Sequence, residues 1–158
     1  MSLEWYRYKK IVIDTGPLLL YLVGFYRIKD LEHFGYKDRD LLLLNEFLKN
    51  FSEILVTPHV LAEMSDLAES RLNKRFSSFM FTSFDRLYAL GEEYITKNEI
   101  LGRKNCVSKF GIADVASIGV SEKNILFLTA DGPLYYYCKS IEIPVIHLNE
   151  LDFLILGH

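Results

Sequence analysis

The stretch KNILFLTADGPLYYY, Lys123 to Tyr137, decides how this chain is read. Its apolar run Ile125–Thr129 has the length and composition of a buried strand. The run ends in Thr129-Ala130-Asp131, and Gly132-Pro133 then restarts the chain as a short helix predicted over Pro133–Ser140. The opening of the chain repeats the design. KKIVIDTGPLLLYL carries a short strand, Ile11–Ile13, into Asp14 and then Thr15-Gly16-Pro17. Two apolar strands that each deliver an aspartate to a Gly-Pro turn predict one shared site at the strand ends.

Outward from these two segments, strands and helices alternate. A helix follows from Pro17 to about Tyr26. RDLLLLNEFLKNF, Arg39–Phe51, sets Leu41, Leu44, Phe47, Leu48 and Phe51 on one helical face. Ile54–Val56 is a second strand. Thr57 is an N-cap with Pro58 at the first helical position, starting a helix to about Glu69 whose Val60, Leu61, Met64, Leu67 and Ala68 are expected to face the core. A mainly helical middle, Arg71–Lys97, precedes a helix over Phe110–Glu122 and a last strand over Val145–Leu148. This order predicts a parallel sheet with crossover helices.

The composition sets bounds. The 158 residues suit one domain with a single core, expected to span 1–158. No window approaches the roughly 18 to 20 uninterrupted apolar residues of a membrane span; the best, Ile11–Phe25, is broken by Asp14, Pro17 and two glycines. The opening MSLEWYRYKK lacks the apolar core of a signal peptide. Cys106 and Cys138 fit no metal spacing and no disulfide framework, so both are expected as buried or half-buried thiols of a cytoplasmic protein. A net charge of −3 counts against a simple basic nucleic-acid binder, although a cluster of carboxylates that gathers cations would also make the balance negative.

Two further acids join Asp14 and Asp131. Glu63, between Leu61 and Met64, is expected at the edge of the buried stripe of its helix. Asp114, in KFGIADVASIGVSEK, is the only charge in two turns of an otherwise apolar or small helix, and such a carboxylate is costly to bury without a cation. Each acid alone has a plain alternative as a turn former, a cap or a solvated helix residue. Four at comparable points of one α/β order are harder to explain that way.

On these residues the chain resembles the PIN domain family of metal-dependent nucleases. IVIDTGPLL resembles the family's first strand and its acid, and LVTPHVLAEMSDL the segment with the second acid. GIADVASIGVSEKNILFLTADGPLYYYCKSIEIPVIHL resembles its C-terminal half, with a helix carrying the third acid, then strand, T-x-D, helix and last strand. The likeness runs from about Lys10 to Leu148. It implies a three-layer α/β/α sandwich around a mainly parallel sheet. It also implies Mg²⁺ or Mn²⁺ bound by Asp14, Glu63, Asp114 and Asp131, with Asp14, Asp114 and Asp131 as inner ligands and Glu63 acting through water or on the nucleophile. Thr129 would orient a carboxylate or water, and Thr15 fills a position where a small hydroxyl residue is common. Two departures bear on substrate contacts: Gly16 stands where asparagine is frequent, and Gly132-Pro133 replaces charged residues.

The chemistry implied is hydrolysis of RNA phosphodiesters, preferably in single strands, by an endoribonuclease standing alone or as the toxin of a toxin–antitoxin pair. An antitoxin protein and a second copy of the chain are the further partners the resemblance suggests. RNA needs cations around an acidic centre. Arg103, Lys104 and Lys109, just before the Asp114 helix, are the better candidates; Arg71, Lys74, Arg75 and Arg86 lie among phenylalanines expected as core or dimer surface. His33, His59, His147 and His158 show no paired ligand spacing. A second class of function, a PIN-like RNA- or protein-binding module without catalysis, is disfavoured by the full set of acids. A phosphotransferase with Asp14 as nucleophile would want an acid where Gly16 stands, and a nucleotide-binding module would need a glycine-rich fingerprint or a P-loop lysine that the chain lacks.

Overall fold

A computed structural model describes residues 3–157. His158 and the first two residues of the N-terminal stretch lie outside the described residues. Five strands form one sheet: β1 (Lys10–Ile13), β2 (Glu53–Val56), β3 (Gly91–Glu92), β4 (Leu126–Thr129) and β5 (Val145–His147). Their order is β3-β2-β1-β4-β5 and every pairing is parallel. Helices α1 (Thr15–Tyr26), α2 (Asp38–Leu48), α3 (Pro58–Leu72), α4 (Phe76–Ala89), α5 (Lys97–Leu101), α6 (Lys104–Phe110), α7 (Ile112–Ser121), α8 (Gly132–Ser140) and α9 (Leu151–Leu156) complete a three-layer α/β/α sandwich.

The period-two alternation of the strands builds the layers. Ile11, Ile13, Leu126, Leu128 and Ile146 enter one core with α1–α4 and α9. Val12, Leu55, Phe127 and Val145 enter the other with α5–α8. Both faces are covered, which is why the strands read as unbroken apolar runs.

Three expectations are corrected. The helix anticipated over Phe110–Glu122 is α7, which begins two residues later, and Phe110 closes a separate helix, α6. Gly111, with φ of +91°, ends α6 and restarts the chain as α7, so Asp114 falls in the first turn. Within the middle segment expected as mainly helical, Gly91–Glu92 pairs with Leu55–Val56 as a short edge strand too brief to leave a periodic signal. On α3 the buried stripe is Val60, Met64, Ala68 and Leu72, and both Glu63 and Leu67 are exposed. At 100° per residue, Glu63 lies about 120° from the centre of that stripe. Expectations met include the burial of Cys106 and Cys138. Among the described residues no helix is long and apolar enough to cross a membrane. Of the middle-segment aromatics, Phe79 is core, while Phe81, Phe84 and Tyr88 are exposed along α4.

Candidate acidic site at the C-terminal edge of the sheet

The strand order reverses direction between β1 and β4, and in open α/β sheets the crevice at such a reversal, beyond the C-terminal strand ends, is the usual ligand site. The pairing of Ile13 with Leu128 sets Asp14 beside Thr129. Asp14 N–H donates to the Leu128 carbonyl at 3.0 Å, so the acid leaves the sheet in register with the T-A-D corner.

Asp14 caps α1 and is only 5% exposed. Thr15 N–H donates to its Oδ1 at 2.8 Å, and the fully buried Thr129 hydroxyl donates to its Oδ2 at 2.7 Å. Both donors favour the carboxylate, yet burial outweighs them. Burial, joined by the charges of Glu63 and Asp131, pushes the Asp14 pKa up to about 6. Thr129 Oγ1 also accepts from Asp131 N–H at 3.1 Å, tying the two strand ends together. Asp131 in turn caps α8, accepting from Leu134 N–H at 2.9 Å through Oδ1, and is exposed. Both aspartates are helix caps, which is the plain alternative for Asp14, whereas that for Asp131 is a turn; capping does not explain why Asp14 is buried.

Asp114 completes the set from the first turn of α7, half-buried. Burial first, then the charges of Asp14, Glu63 and Asp131, raise its pKa to about 8. The position in a helix first turn favours the anion, and burial together with the three neighbouring acids outweighs it. Glu63 reaches both Asp14 and Asp114 electrostatically from the exposed flank of α3. The four acids expected from the sequence thus share one electrostatic neighbourhood.

None of the four forms an ion pair with a lysine or arginine among the described residues. Asp30 shows the contrast. It too is buried, at 2% exposure, but Arg75 holds it through two hydrogen bonds, at 2.6 and 3.2 Å. Asp30 is an acid neutralised by the fold, whereas the four site acids are left with one another.

The donor set is suited to a hard divalent cation: carboxylate oxygens throughout, with the Thr15 hydroxyl, buried and without a hydrogen-bond partner, next to Asp14. Among the described residues, however, no three His, Cys, Asp or Glu side chains converge closely enough to hold an ion as they stand. The chemistry fits; the spacing is looser than a closed cage.

Of the basic residues expected near the acids, Arg103 pairs with Glu122 at the opposite end of α7 from Asp114. Lys104 is exposed, and Lys109 is exposed with its ammonium 5.2 Å from the centre of the Phe110 ring. One residue escaped the sequence reading altogether. Tyr36 is half-buried and feels the charge of Asp14, and the chain gives no signal of this because its turn is far from either aspartate strand.

Thr129→Val is expected to cost about 1–2 kcal/mol in urea unfolding, because it leaves a buried Asp14 oxygen without its donor. It should also push the Asp14 pKa further above 6, observable by carboxyl NMR titration; an unchanged titration would remove Thr129 from the site.

No family model matches this chain, and no curated protein matches it significantly.

Proposed function

We propose that the chain is a divalent-metal-dependent endoribonuclease of the PIN-domain kind, cutting single-stranded RNA at the acidic crevice. The observation that carries this reading is the set of four carboxylates at the reversal point of the sheet, electrostatically coupled and without a basic partner among the described residues. Where the fold buries Asp30 it pairs it with Arg75, whereas Asp14, also buried, has no basic partner among the described residues.

Mg²⁺ or Mn²⁺, when bound, would neutralise the scissile phosphate and activate the attacking water. Asp14, Asp114 and Asp131 are the residues that would hold it, with Glu63 at the outer edge. The chain's own contributions follow from their settings. Thr129 and Thr15 fix the Asp14 carboxylate in one orientation, so no ordering is required of it when substrate arrives. The Thr129 hydroxyl links Asp14 to the Asp131 backbone and keeps the two strand ends in one register. Asp114 carries the charges of the other three acids on top of its own burial, and a cation there would relieve that repulsion. Glu63, exposed and on a helix flank, is free to meet a water or the substrate. In this reading the partners are RNA and, if the protein is a toxin, an antitoxin protein, with a homodimer resting on analogy alone.

A second reading, a non-catalytic PIN-like module that binds RNA or protein, draws on the loose spacing of the acids. One experiment separates the two. Purified protein is incubated with fluorescent single-stranded RNA in EDTA, Mg²⁺ or Mn²⁺, beside the Asp114→Asn variant. Cutting that requires metal and Asp114 is the expected result. RNA binding without cutting in either metal would favour the module.

A further inference from the structure

Position 16 lacks the side chain that the resemblance leads one to expect, and the fold has put another group in its place. A Cβ on Gly16 would lie 2.8 Å from Tyr36 Oη and 3.1 Å from the Ala130 Cβ. The Tyr36 hydroxyl therefore stands over the first turn of α1, near enough to Asp14 to feel its charge. A short 3₁₀ segment, Ile28–Phe34, brings it there. Gly35 ends that segment in the left-handed region, with φ of +79°, and Tyr36 N–H closes the turn on the Leu31 carbonyl at 3.1 Å. No hydrogen bond engages the hydroxyl among the described residues. Burial, then the charges of Asp14 and Asp40, push its pKa up to about 12, so it stays a donor. A donor beside an acidic centre, without an acceptor of its own, suits an anionic ligand oxygen.

Tyr36 also lines a surface cavity of about 430 Å³ with Lys29, Lys37, Arg39, Glu32 and Asp38. Arg39 is tied to Asp152 at 2.7 Å, and Lys29 and Lys37 enter no ion pair among the described residues. Tyr36 thus spans from the acidic crevice to a recess with two uncommitted cations.

We propose that Tyr36 contacts the substrate, its hydroxyl donating to a phosphate oxygen of the RNA at the acidic crevice, and that the adjoining cavity receives the flanking nucleotide with Lys29 and Lys37 on its phosphate. The proposal rests on the ribonuclease reading. It replaces the stretch around Arg103 with the segment 29–37 as the track for RNA.

The test uses the full chain and a fluorescent single-stranded RNA. Cleavage kinetics are measured in Mg²⁺, and affinity by anisotropy in the Asp114→Asn background. Tyr36→Phe should raise KM and weaken RNA affinity about tenfold, the effect of losing one hydrogen bond to a charged group, with Tm unchanged. Lys29→Ala/Lys37→Ala should reduce the salt dependence of binding by about 1.4, two single-strand phosphate contacts at ~0.7 each. Gly16→Ala, which must displace the hydroxyl while keeping the ring, should reproduce the Tyr36→Phe defect and add nothing to it in the double variant. Tyr36→Phe, which keeps the ring, carries the test by itself if Gly16→Ala folds poorly. Wild-type kinetics and affinity in Tyr36→Phe would overturn this proposal and leave the ribonuclease standing. A wild-type protein that neither cuts nor binds RNA would overturn both.

Discussion

Asp114→Asn will lower metal-dependent RNA cleavage by about a thousandfold or more, the scale of removing a principal stabiliser of transition-state charge. The same variant will be more stable than wild type in EDTA near pH 8. The two effects share a cause. Asp114 is held among Asp14, Glu63 and Asp131, and its pKa is raised from 3.8 to about 8, first by burial and then by those charges. Between pH 4 and pH 8 the folded state therefore binds a proton that the unfolded chain has released, so stability falls as pH rises through that window. Asp14, raised to about 6, adds to the fall over its lower half. Asparagine removes the Asp114 part. Because the group is half-buried and partly screened by solvent, the gain at pH 8 is set at about 1–2 kcal/mol. Urea unfolding across pH 4–8 would show it; a wild-type curve that rises with pH would contradict the account of the site.

Divalent metal will reverse that pH dependence and release protons as it binds. At pH 7 a group with a pKa near 8 is mostly protonated and one near 6 mostly ionised. Binding of Mg²⁺ or Mn²⁺ should then displace about one proton, chiefly from Asp114. Calorimetry in two buffers of different ionisation enthalpy measures the number directly. At a metal concentration 100-fold over Kd the folded state should gain about 2.7 kcal/mol, or roughly 5–10 °C in Tm for a chain of this size. In Asp114→Asn both the proton release and most of the Tm rise should vanish. Binding without proton release would place the ion away from Asp114.

The sheet and its acids were legible because parallel strands buried on both faces have few ways to be written. Ile11–Ile13 and Ile125–Thr129 are short apolar runs that stop at an aspartate, and that stop is where the core ends. Thr57-Pro58 likewise gave the start of α3 because a cap hydroxyl and a proline occupy fixed positions there. The exposure of Glu63 was not legible. The apolar residues on α3 form a broader band in sequence than the stripe that packs, and only the packing decides which flank turns outward. Asp114 was found as a lone charge, but its place in a helix first turn depends on Gly111 adopting positive φ, which a glycine permits without requiring. Tyr36 was missed for a third reason. Its approach to Gly16 depends on the path of a 3₁₀ segment, and neither residue carries a pattern that points to the other.

The hydrogen bond from Thr129 to Asp14 joins residues 115 positions apart. A chain growing from its N-terminus can form β1 early, but Asp14 has neither its hydroxyl donor nor its companion acids Asp114 and Asp131 until β4 has been made and has docked beside β1. Contacts of such long sequence separation form late in folding. The acidic centre is thus withheld from the nascent protein: a truncated or half-synthesised chain keeps the first aspartate and cannot bring the other acids beside it until nearly the whole domain exists.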